Sequence, residues 1–472
     1  LPMNFALIAS MSRSTEGMLE FAGWSVIILC MSLIIFSYLR RRSDLITAWN
    51  CVLFGCTINI GVGCLEAVDR TESFYQRYIS FNFPDADYRD ALTRNLVFLA
   101  TMFVMYYGIK LFRKFGHNRF QVCPEWSGTM FVWVISICSV FMLCVSFISI
   151  PFFKEVVFNL AQKAAVFAGV FSFYAWYRNR SSVPMLFLSI AILGVAALFC
   201  IKVSPGRRLL LTVFAAAPFV AYWLKWRYSN PVRVLLLSSL AGATIALGGL
   251  SYAIIRHFDT HGNRFQRSER TISNIIPRLG EINMAGIQAQ LDGWKHLLAQ
   301  ANYEYALLTK RIVDSGTAEV HTLNSLHFLS CYAIPRRMWE DKPVTIALDL
   351  PRRYLKLLQP SVWGVGPAGH SYYEGGYLAL FAYAGVLVFI VRLIDEPLLR
   401  EPNNPFFIAT LVASFSYLIN IIRGDFGTHY AELFECFLFA ILLNWSARLF
   451  TAHRKLAFSK PGQLRAKLAH PN

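Results

Sequence analysis

Arg336, Arg337 and Lys342 stand within seven residues of one another. Arginine offers a rigid fork of donors that fits two phosphate oxygens at once and never loses its charge, and lysine adds a mobile point charge. The trio therefore suits a diphosphate. Arg207, Arg208, Arg256 and Arg423 fall at the ends of apolar runs and extend the set of anion-binding candidates. A plainer role for them is to snorkel toward lipid headgroups. Proton transfer from an attacking hydroxyl needs an imidazole or a carboxylate. His257, His370, Glu374, Glu340, Asp341 and Asp425 supply these groups, and spacing alone does not choose among them. Glu340 and Asp341 have a simpler use, which is to pair with the neighbouring arginines.

The elements that must position these groups are helices in a membrane. Hydrophobic residues make up 56% of the 472 and charged residues 15%, against roughly 25% charged in a soluble domain. Apolar runs match the length of a bilayer-crossing helix and are too continuous for barrel strands. Eleven stretches qualify: 20–39, 45–65, 95–112, 128–149, 156–177, 183–201, 208–224, 234–255, 376–394, 405–422 and 430–449. The expected fold is all-α, a polytopic membrane protein of about 11 transmembrane helices with one large loop of short amphipathic helices. No basic segment precedes the first apolar run, so that run is expected to act as its own insertion signal.

Basic residues gather after the odd-numbered runs, at Arg40-Arg41-Arg42, Arg113-Lys114, Arg178, Lys225 and the tail after Arg448. Such ends face the cytoplasm. The large loop then lies on the opposite, periplasmic face of a bacterial inner membrane. The chain divides into a bundle over 1–255, a loop or lid over 256–375, further membrane helices over 376–449 and a basic cytoplasmic tail over 450–472. In the loop, helical spacing is expected around 272–279, 285–309 and 321–333, and Trp363-Gly-Val-Gly-Pro-Ala-Gly369 reads as a flexible loop. The net charge of +17 is explained by membrane topology, and nucleic acid is not expected as a partner. Ten cysteines without a C-x-x-C pair read as buried thiols.

The run Ala333-Ile-Pro-Arg-Arg-Met-Trp-Glu-Asp-Lys-Pro343 carries P-R-x-x-W-x-x-K-P, and Glu374-Gly-Gly-Tyr377 with Phe381 and Gly385 follows it into an apolar run. This combination resembles the bacterial O-antigen or oligosaccharide repeat-unit polymerases of the Wzy type. The resemblance implies a metal-independent glycosyl transfer without cofactors, moving a growing glycan from undecaprenyl diphosphate onto another carrier-linked repeat unit. It implies membrane lipids, a chain-length regulator and a flippase as further partners. Arg207, Arg208, Arg256, Arg336, Arg337, Lys342 and Arg423 would hold the diphosphate. The catalytic group would comprise His370, Glu374, Arg336 and Arg337. The related ligases carry a loop histidine followed by a spaced glycine; His370-Ser371 begins that pattern but meets Phe381 in place of the glycine.

Two further classes fit parts of the chain. Asp85-Ala-Asp87 is a D-x-D of the kind that serves as base or metal ligand in multi-spanning lipid-phosphate-sugar glycosyltransferases. A lipid-linked glycan transporter would instead keep ionisable residues in mid-span and show internal repeats. Lys163 is the partial exception to an otherwise end-clustered pattern.

Overall fold

The computed structural model describes residues 14–41, 43–68, 83–108, 128–147, 151–178, 182–203, 207–257, 302–332, 334, 338–353 and 364–458. Among these the elements are helical and no strand occurs. They are α1 (Thr15–Leu39), α2 (Ala48–Val68), α3 (Asp85–Gly108), α4 (Gly128–Phe147), α5 (Pro151–Arg178), α6 (Val183–Val203), α7 (Arg207–Leu224) and α8 (Pro231–His257). After these come α9 (Asn302–Asp314), α10 (Asn324–Ser330), α11 (Ile346–Arg353), α12 (Gly366–Tyr373), α13 (Tyr377–Arg400), α14 (Pro405–Asn420) and α15 (Phe426–Phe458).

Local sequence starts these helices. Ser14 Oγ accepts from Gly17 N–H at 3.0 Å and Thr47 Oγ1 from Asn50 N–H at 3.1 Å. Asn404 Oδ1 accepts from Phe406 N–H at 3.0 Å, with Pro405 pre-set for the first turn. Each satisfies an amide that the helix itself leaves open.

Among the described residues a helix lies within each of the eleven expected stretches. By length and apolarity, four of the described helices can cross a membrane: Thr15–Leu39, Ala48–Val68, Tyr377–Arg400 and Phe426–Phe450. Gly128–Cys144, Val183–Phe199, Pro231–Ile245 and Pro405–Asn420 are apolar but shorter. In α3 the helix begins at Asp85 rather than near 95, and its first turns are polar through Arg94. The apolar part that follows is described from Asn95 to Gly108.

α5, α7 and α14 pack together in the centre, α3 lies along α13, and α1 lies along α2. Phe167, Phe171, Val213, Val220, Trp223 and Leu411 are wholly or almost wholly buried there. By contrast Phe187, Ile190 and Val195 of α6 and Leu236 and Leu240 of α8 point outward and are exposed. Apolar side chains of that size on successive turns suit a hydrocarbon surrounding.

α2 is interrupted by a wide π turn at Thr57–Val62. There Asn59 Nδ2 donates to Gly55 O at 2.8 Å and to Ile419 O of α14 at 3.1 Å.

The segment between α8 and α13 differs from expectation. The reading of 363–369 as a flexible loop is corrected: Gly366 takes φ +60, Pro367 pre-sets the first turn, and α12 runs to Tyr373 with every residue buried. Glycine and proline here begin a helix. The helix expected at 321–333 shortens to α10, and of the two expected earlier ones, 272–279 and most of 285–309 lie outside the described residues. Tyr303, Leu307, Val365 and Ala368 share one continuous core with the bundle helices. The described part of the segment is thus packed into the bundle end.

We call the end holding α9 to α12 the loop end. The turn end holds the α1–α2 and α13–α14 connections.

Candidate active site at the loop end of the bundle

His370 and Glu374 are four residues apart across the end of α12 and therefore share a face. His370 Nδ1 lies 3.1 Å from Glu374 Oε1, and both side chains are fully buried. Ser325 of α10 donates to Glu374 twice, from Oγ to Oε1 at 2.9 Å and from its amide to Oε2 at 3.1 Å. The Tyr383 hydroxyl of α13 donates to Oε2 as well. On the far side of the imidazole, Phe426 N–H of α15 donates to His370 Nε2 at 3.1 Å, and the two rings stack with centroids 4.6 Å apart. One histidine–carboxylate pair thereby ties four helices together.

Burial pulls the His370 imidazole down, but the Glu374 charge and hydrogen bond, with Asp425 and the Gly424 backbone, outweigh it. Its pKa stands above the ordinary 6.5. The proton on Nδ1 points at Glu374, and the pair presents no surface to a substrate.

Arg423-Gly424-Asp425 forms the turn into α15. Asp425 Oδ1 accepts from Thr428 N–H at 2.9 Å and caps that helix, while Oδ2 accepts from Ala347 N–H at 3.1 Å. Arg423 O accepts from Gly366 N–H at 3.0 Å, and a side chain at Gly364 would meet that same oxygen at 2.7 Å. Here the absence of a Cβ permits the backbone approach. The Asp425 carboxylate is thus occupied by backbone amides.

Lys342 is spent differently from expectation. Its ammonium donates to Tyr332 O and Ile334 O, each at 2.8 Å, and sits over the Phe328 and Tyr332 rings. These bonds join Lys342 to Tyr332 and Ile334, which stand before Pro335-Arg336-Arg337 in sequence. Those three residues themselves lie outside the described residues. The side chains of Arg207, Arg208, Arg256 and His257 also lie outside them; the backbones stand in the first turn of α7 and the last turn of α8. Glu340 and Asp341 are exposed. In the D-x-D, Asp87 is paired with Lys310 of α9 at 2.9 Å, and Lys310 also meets Asp314 at 2.6 Å. Among the described residues no three His, Cys, Asp or Glu side chains gather as a metal site.

No family model, curated protein or solved structure matches this chain.

A second cluster escaped the reading of the sequence. Lys163 of α5 is 1% exposed, and its ammonium meets both Glu432 and Glu435 of α15, the latter at 2.7 Å. Glu435 Oε1 accepts from the Tyr332 hydroxyl at 2.8 Å and from Asn159 Nδ2 at 3.2 Å. Asn159 also donates to the Tyr332 oxygen at 2.9 Å. Burial and the Glu435 charge hold the Tyr332 phenol above its ordinary range, so it stays a donor. The available signal was the i, i+3 spacing of two carboxylates at the start of an apolar run, which places them on one helix face. The lysine that joins them is far away in sequence.

Proposed function

We propose that the chain is a membrane glycosyltransferase of the polymerase kind, extending a lipid-diphosphate-linked glycan at the loop end. The observation that carries this reading is the attachment of the residues that flank Pro335-Arg336-Arg337 in sequence. Tyr332, just before this stretch, hydrogen-bonds Glu435, and Lys342, just after it, closes on Tyr332 and Ile334. Tyr332, which precedes an arginine-rich stretch of sequence, therefore lies beside paired carboxylates. Transfer of a sugar from a diphosphate carrier needs both: cations at the leaving diphosphate, where charge develops, and a carboxylate at the attacking hydroxyl. The outward apolar faces of α6 and α8 suit a carrier that arrives through the bilayer. In this reading Arg336, Arg337 and Arg423 meet the diphosphate, Lys342 shapes the loop, and the loop end faces the periplasm of a bacterial inner membrane.

The test is polymer formation by purified protein from a lipid-diphosphate-linked repeat unit, with chelator present. Wild type should give a product ladder, and Arg336→Ala should lower the rate roughly a hundredfold, the loss of one donor to transition-state charge. Asp87→Ala should keep the ladder. Loss of the ladder with Asp87→Ala or with chelator would favour a metal-assisted transferase. No ladder from a verified native repeat unit would overturn the reading.

A further inference from the structure

Arg94 is held on three sides and open on the fourth. Its Nε donates to both oxygens of Asp90, one turn earlier in α3, at 3.2 Å, and its Nη1 donates to Ser371 Oγ of α12 at 2.8 Å. Ser371 gives its own proton to Ala368 O at 2.9 Å, so its lone pairs are turned to the guanidinium. The guanidinium carbon lies over the Tyr372 ring at 4.4 Å and the Tyr377 ring at 5.1 Å. Nη2 has no hydrogen-bond partner among the described residues and reaches the surface, the Arg94 side chain being 17% exposed. An ordinary arginine at a membrane surface finds a headgroup by swinging a flexible stem. Arg94 has given up that freedom beforehand, so its open edge has a fixed aim and ordering it around a ligand costs less.

The level of this group follows from α13. That span begins at Tyr377, and aromatic rings at the end of a span stand among the lipid headgroups. Tyr377 is 41% exposed, and Leu378 beside it and Phe381 one turn deeper are 58% and 45% exposed. Along this stretch α3 packs against α13 and turns apolar directly after Arg94. The surface therefore makes two demands at once: an oxyanion at its waterward edge and hydrocarbon immediately below.

We propose that Arg94, Tyr377 and Phe381 form a binding site for the phosphate headgroup of a membrane lipid, with the lipid chains lying along the exposed face of α13. Arg94 donates from Nη2 to a phosphate oxygen, Tyr377 flanks the headgroup, and Phe381 meets the first part of a chain. Asp90 and Ser371 are positioning residues that orient the guanidinium. Asp90 also offsets one positive charge, which favours a singly charged phosphodiester over a phosphate monoester carrying nearly two. Ser371 directly follows His370 in α12, so an occupied site braces the helix that carries the buried histidine. None of this depends on the reaction proposed above.

The experiment takes the full chain, stripped of lipid in an uncharged detergent, with phosphatidylglycerol as the probe. Native mass spectrometry counts bound lipid, and the concentration dependence of the melting temperature gives its affinity. Wild type should retain one phosphatidylglycerol more than Arg94→Gln, whose affinity should be roughly tenfold weaker. Arg94→Lys keeps the charge without the planar fork and should fall between them. Phe381→Gln should weaken phosphatidylglycerol binding while its lipid-free melting temperature stays close to wild type. Diacylglycerol with the same chains and glycerol phosphate without chains should each shift the wild-type melting temperature far less than phosphatidylglycerol does. Should Arg94→Gln fail to fold, Arg94→Lys and Phe381→Gln carry the same comparison. The proposal fails if the folded Arg94 variants bind phosphatidylglycerol within about twofold of wild type. It fails equally if diacylglycerol binds as well, which makes the face a plain hydrocarbon contact, or if glycerol phosphate does, which makes it a site for a free anion.

Discussion

At the turn end of the bundle Asp44 meets Arg227 at 3.1 Å, and Glu396 meets Arg392 at 3.0 Å and Arg400 at 3.9 Å. Each of these carboxylates has at least one arginine. At the loop end one lysine serves two carboxylates, and Glu374 is held by a histidine, a serine and a tyrosine. The turn end adds backbone fastening: Asp395 of α13 accepts from the Ala48 and Trp49 amides at 2.6 and 3.0 Å and so caps α2 from another helix. Trp49 stacks on Tyr106 at 3.9 Å, and the Arg392 guanidinium lies 3.8 Å from the Tyr106 ring. The turn end pairs its carboxylates with arginines and helix amides. The loop end pairs Asp87 with Lys310 but gathers Glu432 and Glu435 on one buried lysine and encloses Glu374 among hydroxyls and an imidazole.

The contrast is open to attack at either end. The largest effect is expected from Glu374→Gln, which removes the charge from a fully buried group that gathers Ser325, Tyr383 and His370. Breaking such a network costs about 3–5 kcal/mol, to be read from denaturant unfolding in detergent. A change within experimental error would show that the junction of α10, α12, α13 and α15 is held by packing alone. At the turn end Asp395→Asn keeps one accepting oxygen for the start of α2 and should cost about 1–2 kcal/mol in the same assay.

The smallest effect is a dependence on pH. The His370 pKa is raised by Glu374 in the folded state, so its contribution is fully present below the unfolded value near 6.5 and is lost as pH rises through the higher folded value. Wild-type melting temperature should fall over that interval, and His370→Gln should flatten the fall. An unchanged slope in His370→Gln would place the titrating group elsewhere.

The helices were legible in the sequence because apolar runs reveal themselves locally, and among the described residues a helix lies within each expected stretch. Which of those helices cross a membrane was less legible, since hydropathy counts an apolar residue alike whether it faces lipid or, as Phe167 and Val220 do, the protein. The closeness of His370 and Glu374 could be read from their spacing. Their enclosure could not, because it depends on Ser325, Tyr383 and Phe426 arriving from three other elements. α12 was missed because its glycines and proline are also the residues of loops; the distinguishing feature is proline directly after a glycine with positive φ. Glu432 and Glu435 were missed because their meaning lies in Lys163 and Tyr332, which only folding brings to them.

The wide turn in α2 has a geometric consequence of its own. A residue inserted into an α-helix rotates everything beyond it by about 100° about the axis. α1 runs along the whole of α2, but Ala48–Cys56 lies against α13 and α14, whereas Gly63–Val68 lies against α9, where Cys64 Sγ meets the Tyr303 hydroxyl at 3.0 Å. The turn thus gives one continuous rod two independent azimuths. Its lower half is keyed to the fastened end of the molecule, and its upper half is free to be aimed at whatever the loop end must hold.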